Sequence, residues 1–400
     1  MSKLQNLINE LCPNGVKYVV LNSVCNVYDG THQTPKYTDS GVKFISVENI
    51  NSIYQTNKYI SKDDYDKNYK IKPKLNDVMM TRIGTIGSCA LVTKDEDLAY
   101  YVSLALLRSE RSVLNSKYLI HVIGSKIGRK ELRKRTLVNA VPIKINMGDI
   151  GKIKIPLPPL PIQEEIVRIL DNFTELTTEL TTELTARKKQ YEYYNNKLLR
   201  FNNVPYKTLE ELCDIVDYRG KTPKKVDYGI FLVTAKNIRK GYIDYNKSKE
   251  YIAFEDYEEV MRRGFPKIGD VLVTTEAPCG NVAQVDKENI ALAQRVIKYR
   301  PKTNEINSTY LKYILLGAEF QKKLLLSATG GTVKGIKGSK LHKLKIPVPP
   351  LSEQQRIVSI LDRFDSLCND ITTGLPAEIE LRKKQYEYYR DKLLDFKELQ

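Results

Sequence analysis

Apolar positions along the chain fall into two regimes. In the first, short β-rich runs are separated by Gly, Asn and Asp turns: Val42 to Val47, Val78 to Arg82 and Cys89 to Thr93, then Phe231 to Ala235, Val271 to Thr275 and Val282 to Val285. In the second, Ile162, Ile166, Ile169, Leu170, Phe173, Leu176, Leu180, Leu184, Tyr191, Tyr194 and Leu198 recur at mostly three- and four-residue steps. That spacing predicts one long amphipathic helix over Ile162 to Phe201, about 60 Å long if unbroken. A proline-rich hexapeptide, residues 155–160, stops the globular pattern just before it and reads as a hinge between domain and helix.

The whole pattern is written twice. Ile155-Pro156-Leu157-Pro158-Pro159-Leu160 returns as Ile346-Pro347-Val348-Pro349-Pro350-Leu351, and the register holds through Gln163/Gln354, Ile166/Ile357, Leu170/Leu361, Asp171/Asp362 and Phe173/Phe364. Arg187-Lys188-Lys189-Gln190-Tyr191-Glu192-Tyr193-Tyr194 recurs letter for letter at residues 382–389. Looser matches precede these: Gly41 with Gly229, Asp77 with Asp270, Gly87 with Gly280, and Asn115-Ser116-x-Tyr118-Leu119 with Asn307-Ser308-x-Tyr310-Leu311. The chain therefore divides into a mixed domain at 1–155, a hinge and helix at 156–201, a second mixed domain at 202–346, and a second hinge and helix at 347–400. Identity is high in the helical parts and low in the globular parts, as expected of a shared scaffold carrying different readers.

A lone amphipathic helix must bury its stripe, and its own copy, Ser352 to Phe396, is the natural partner. Ile166, Leu170, Phe173, Leu176, Leu180, Leu184, Tyr191 and Leu198 are expected to face Ile357, Leu361, Phe364, Tyr386 and Leu393. The copy contains Gly374-Leu375-Pro376, which should break or kink it. The first helix carries a tandem tetrad, Thr177-Thr178-Glu179-Leu180 then Thr181-Thr182-Glu183-Leu184. Adding or removing four residues moves the helix ends by about 6 Å.

Charge points to the partner: 64 Lys+Arg against 48 Asp+Glu leave a net +16, which suits a polyanion. No apolar run approaches the length of a membrane span, no secretory signal opens the chain, and a reducing compartment, the cytoplasm, fits the six scattered cysteines. With three histidines and no C-x-x-C, neither a zinc cage nor a disulfide framework is suggested. Asn203-Val204-Pro205-Tyr206 has valine in place of the first proline of the N/D-P-P-Y/F methyltransferase tetrapeptide and no Gly-rich cofactor motif precedes it; it reads as a linker entering a strand. The Gly330 to Lys340 stretch fits no P-loop. Its glycines would let backbone N–H groups approach a phosphate while Lys334, Lys337 and Lys340 neutralise charge; a solvated loop is the alternative. The matching stretch, Thr136 to Asn146, keeps Lys144 and loses the glycines, so its contact must differ.

The proline-rich segments with the following Gln163-Glu-Glu-Ile166, the paired octapeptides and the opening Leu11-Cys-Pro-Asn-Gly-Val16 resemble the specificity subunit of type I restriction-modification systems, across essentially the whole chain. The resemblance implies an α+β fold in which two pseudo-twofold-related target recognition domains are joined by two long helices forming an antiparallel coiled coil. Each domain would read one half of a split double-stranded DNA target, with the helices setting the gap. It also implies two methyltransferase subunits and restriction/translocase subunits as partners. S-adenosylmethionine, ATP and Mg are then expected on those partners, with no cofactor, metal or catalytic residue in this chain. A coiled-coil adaptor without DNA specificity and a fused methyltransferase are the alternatives.

Three loops in each half resemble the family's DNA-facing segments: His32, Gln33, Thr34 and Lys36 with Arg219, Lys221, Thr222 and Lys224; Asn49 with Lys236 and Asn237; Arg82 and Thr85 with Thr275 and Glu276. Arg and Lys suit guanine, Asn and Gln adenine, Glu cytosine. Base contact, phosphate contact and plain surface all stay open for each. Tyr191 and Tyr194 fall on the apolar stripe; Tyr193 and the Arg187-Lys188-Lys189 cluster face either a methyltransferase subunit or solvent.

Overall fold

The computed structural model describes residues 3–218, 223–330, 334–370 and 373–399. The chain forms two compact units: unit 1 comprises residues 1–181 and 378–400, unit 2 residues 182–377. The helices of nine residues or more are α1 (Lys3–Leu11), α2 (Ser116–Gly124), α3 (Lys126–Arg135), α4 (Leu160–Leu198), α5 (Ser308–Leu316), α6 (Ala318–Ser327), α7 (Leu351–Asn369) and α8 (Leu375–Leu393). Both α4 and α8 run from one unit into the other, so each unit owns part of each.

In unit 1, Cys25–Asp29, Leu104–Ser109, Val78–Thr81 and Cys89–Leu91 form an antiparallel sheet in that spatial order. A second sheet orders Tyr37–Thr38, Tyr59–Ile60, Val42–Ile45 and Leu98–Tyr100, the last pair parallel. Unit 2 repeats the first sheet with Cys213–Asp217, Val296–Pro301, Val271–Thr274 and Val282–Gln284, and most of the second with Tyr251–Ile252, Ile230–Val233 and Ile290–Leu292. The expected strands therefore form, ending one or two residues earlier than the sequence pattern suggested. Each unit's main core lies between the first sheet and its helices, with Met80, Leu107, Tyr118 and Ile166 in unit 1 and Val273, Tyr299, Tyr310 and Ile357 in unit 2.

The hinges become clamps, which corrects the sequence reading. Ile155 and Pro156 are strand residues paired to Tyr18–Val20, and Ile346 and Pro347 pair with Tyr206–Thr208. Gln163 is fully buried; its Nε2 donates to the carbonyls of Val113 (2.8 Å) and Pro158 (2.7 Å), and its Oε1 accepts from the N–H of Asn115 (2.9 Å). Gln354 makes the same three bonds, to Glu305, Pro349 and Asn307. Asn115 and Asn307 cap α2 and α5, and the Tyr118 and Tyr310 hydroxyls donate to Pro156 and Pro347. Because Gln is satisfied on both faces of its amide, domain and helix are one body at these points.

The coiled-coil set splits in two. Ile166 and Leu170 belong to the globular core of unit 1, and Ile357 and Leu361 to that of unit 2. Tyr386 and Leu393 pack on the first core, Tyr191 and Leu198 on the second. Between these ends Phe173 stacks on Tyr389 (5.4 Å between ring centres), and Tyr191 and Tyr194 pack on Phe364 (6.1 and 5.6 Å). Leu176, Leu180 and Leu184 are half-buried, and the tetrad threonines Thr177, Thr178 and Thr181 donate to carbonyls four residues back. The second spacer is two helices, α7 and α8, as Gly374 and Pro376 require. A Cβ at Gly374 would lie 2.5 Å from the Ser366 carbonyl oxygen.

The repeated helix contact differs in one titratable group. In unit 1 the His121 Nδ1 lies 2.9 Å from the Tyr386 hydroxyl and its Nε2 lies 3.4 Å from Asp171 Oδ1; in unit 2 Tyr313 takes this place and donates to Asp362 Oδ1 at 2.5 Å. Burial holds the His121 imidazole below the usual histidine value, against the pull of Asp171. The unfolded chain therefore takes the proton first as pH falls. This contribution is intact above about pH 6.5 and declines below it, by at most about 1.4 kcal/mol per pH unit. His121→Tyr is expected to flatten the loss of unit 1 stability between pH 7 and 5. Parallel pH profiles of unfolding free energy for the two proteins would disprove it.

Candidate nucleic-acid interface

In unit 1 the loops that the sequence singled out meet at one end of the two sheets. The segment 100–103 joins them: Val102 N–H donates to the Thr31 carbonyl, Arg82 N–H to the Ser103 carbonyl (2.9 Å each), and the Ser103 hydroxyl accepts from Val47 N–H at 3.1 Å. Gln33, Thr34, Lys36 and Thr85 are exposed. His32 is exposed with its Nε2 2.9 Å from Asp29 Oδ2. Lys144 is exposed on the hairpin strand Lys144–Ile145, which bonds to the 82–84 loop through Ile145 N–H to Arg82 O (3.0 Å).

Two of the candidate DNA contacts turn inward, against the sequence reading. Arg82 is 7% exposed; its guanidinium bonds both Asp29 carboxylate oxygens (3.2 and 3.1 Å) and the Ile145 carbonyl (3.2 Å). Asn237 is fully buried, accepting from the Thr234 N–H and hydroxyl and donating to the Asp244 and Ser248 carbonyls. Both shape loops: the Asn237 amide is satisfied at both ends, and Arg82 is turned inward, its Nε buried without a partner. Asn49 is half-buried and accepts from Ser46 N–H at 3.1 Å, closing its own turn.

In unit 2, Arg219, Lys221 and Thr222 lie outside the described residues. Lys224, Lys236, Lys334 and Lys337 are exposed. Thr275 donates through its hydroxyl to the Arg295 carbonyl (3.3 Å), and Glu276 accepts from Arg295 Nε at 2.7 Å. The Gly-rich loop closes on the same place: Gly335 and Thr329 exchange backbone bonds, and Ile336 N–H donates to Thr275 O at 2.9 Å. A cavity of about 250 Å³ opens here, lined by Pro223, Lys225, Lys236, Glu250, Ala277 and Arg295 among others. The Lys225 ammonium, 2.7 Å from Glu250, holds that carboxyl below the usual carboxylate range. The repeat register sets Lys225 and Arg295 against Tyr37 and Ser103, neither of them a cation, so the sequence reading passed them over.

The two buried carboxylates that match in the repeat are each held by an arginine. Asp270 is buried and held by the Arg300 guanidinium (2.7 Å on each oxygen), as Asp77 is by Arg108. Among the described residues no His, Cys, Asp and Glu cluster fits a metal ion, and no helix is long and apolar enough to cross a membrane.

Residues 13–188 and 202–381 each match the type I restriction modification DNA specificity domain. The chain belongs to this family. The EcoR124I/EcoR124II specificity subunit of Escherichia coli is 41% identical over 271 residues, 61% of this chain and 63% of that relative, so the match spans less than two thirds of its length. The EcoprrI specificity subunit of Escherichia coli is 31% identical over 76% of this chain and 75% of its own. The crystal structure of a type I restriction-modification S subunit from M. genitalium has the same fold, with a TM-score of 0.58 over 98% of this chain and 99% of that one at 15% identity. In this specificity-family chain the two matched domains supply the two loop clusters described above, one in each unit.

Proposed function

We propose that the chain is the non-catalytic DNA-recognition subunit of a type I restriction-modification complex. Each unit reads one half of a bipartite double-stranded target, and the α4/α7/α8 helices set the gap. Two methyltransferase subunits and, for restriction, translocase subunits carry the chemistry, adenine methylation included, with S-adenosylmethionine, ATP and Mg bound there. The observation that supports this reading most is a repeated scaffold with unlike loops. The Gln163/Gln354 clamps and Asp77/Asp270 pairs are the same in both units, while Arg82 faces Thr275 in register and the 136–146 hairpin stands where unit 2 has its Gly-rich loop. One frame with two different surfaces suits two different half-sites.

The test is to co-express the chain with its methyltransferase partner and map methylated adenines by single-molecule sequencing. A bipartite motif with a fixed gap, present only with this chain, is the expected result. A continuous motif, no motif, or methyl transfer by the chain alone would overturn the reading. Deleting Thr177 to Leu180 shortens α4 by about 6 Å. With the helix parallel to the duplex axis, the gap should change by about two base pairs at 3.4 Å each, both half-sites being kept.

A further inference from the structure

In unit 1, one face of α3 carries Lys126, Arg129, Lys130, Arg133 and Lys134, which line an open cavity of about 530 Å³ with no acidic side chain in its wall. The nearby acids neutralise only part of this row. Glu131 is buried and taken by Lys134 and Arg135, while Asp391 and Glu387 reach Lys126 and Arg129 only at 4.0 and 3.9 Å. No ion pair to Lys130 or Arg133 is found among the described residues, and both are exposed.

The helix then runs directly into the hairpin strands Thr136–Leu137 and Lys144–Ile145. The hairpin's tip is aliphatic and turned outward: Val138 is 65% exposed, Val141 99%, and Ile143 is exposed as well. Its base is fixed, because Gly84 N–H donates to Ile143 O (2.8 Å), and the buried Arg82 bonds Ile145 O and ties the hairpin to Asp29. A cation row only partly neutralised and an outward aliphatic tip on one continuous element call for a partner that is anionic outside and apolar within. A duplex has phosphates along its edge and, in its grooves, base edges that include the apolar thymine methyls.

Unit 2 is built differently at the same positions. Aligned on Leu132 and Leu324, which pack against Gly87 and Gly280, the α3 cations become Ala318, Gln321, Lys322, Leu325 and Leu326 in α6. Its hairpin position is the glycine-rich loop carrying Lys334 and Lys337.

We propose that α3 clamps the phosphate backbone of the half-site read by unit 1 and holds the 138–143 tip against base edges as an apolar finger. The two units thus grip DNA in different ways. The proposal rests on the DNA-recognition reading above, and the experiment separates the two. Binding of the chain with its methyltransferase partner is measured by fluorescence anisotropy on target and scrambled duplexes across a salt series. Lys130→Gln with Arg133→Gln should weaken binding to both duplexes and lower the slope of log affinity against log salt by roughly 1.8, about 0.9 per lost phosphate contact. Val141→Ser with Ile143→Ser should keep that slope and cut the preference for target over scrambled DNA about tenfold. These side chains are exposed, so the unfolding midpoints should hold. A wild-type complex that does not prefer its target overturns the recognition reading and this proposal with it. With the wild-type preference in place, an unchanged salt slope in the charge variant, or an unchanged preference in the tip variant, overturns this proposal alone. Loss of the methyltransferase subunit from the charge variant, with its salt slope intact, would assign the face to an acidic protein surface instead.

Discussion

Gln163→Leu should be among the most damaging single substitutions in unit 1, lowering its stability by roughly 3–5 kcal/mol. Leucine fills the space, but the Asn115 N–H and the Val113 and Pro158 carbonyls lose their partner, a side-chain amide that is itself fully buried. Each buried group left unpaired costs about 1–3 kcal/mol. The measurement is thermal unfolding, with a drop on the order of 10 °C expected for a unit of this size. Hydrogen exchange should quicken first across α2, whose cap Asn115 hangs from the same amide. Gln354→Leu should do the same to unit 2 through α5. A fall of only a degree or two would mean that the clamp is incidental to the junction.

Asp270→Ala should exceed Asp77→Ala, although the two carboxylates hold the same kind of arginine. Beside Asp270 lies a second cation that unit 1 lacks: Lys298, 2% exposed, its Nζ 3.8 Å away, where the register of unit 1 has Leu106. Burial already pushes the Lys298 ammonium below its usual value, with Asp270 pulling the other way. Removing Asp270 strands that charge, and breaking a buried pair costs about 3–5 kcal/mol. A lysine whose folded value is lowered charges more readily in the unfolded chain, so stability should rise with pH as the folded form sheds its proton. Asp270→Ala should therefore regain stability between pH 7 and 9, and Asp77→Ala should not. Adding Lys298→Leu to Asp270→Ala should restore part of the loss at pH 7. Urea midpoints across that pH range decide it; equal losses for the two alanine variants at every pH would exclude the stranded lysine.

What the sequence disclosed follows from what repeats. Gln163, Asn115, Tyr118 and Pro156 stood out because their copies preserve both identity and spacing, and the structure joins the four in one hydrogen-bond network per unit. Their role as a clamp was hidden, since proline-rich spacing looks alike whether a junction bends or is locked. The long helix was readable to within three residues, because periodicity reports burial. The Leu104–Ser109 strand was not read: it is covered on both sides, so it shows no alternation. For the candidate interface, residue type was a poor guide to orientation. Arg82 and Asn237 have the chemistry of base readers, yet long-range partners such as Asp29 and Ser248 turn them inward. The α3 cations escaped notice because the register offered nothing comparable in α6.

Unit 2 occupies one uninterrupted stretch, while unit 1 is assembled from two stretches that flank it. On the ribosome the order of synthesis is therefore not the order of completion. Unit 1 begins first, but its core must wait for Leu394, and its edge for Glu398 to pair beside Val16 and for the Phe396 carbonyl to receive the Tyr18 hydroxyl. All of those residues are translated after unit 2 is finished. A nonsense codon near residue 378 would thus spare the later-made unit and leave the earlier-made one open, its unfilled core offered to chaperones and proteases.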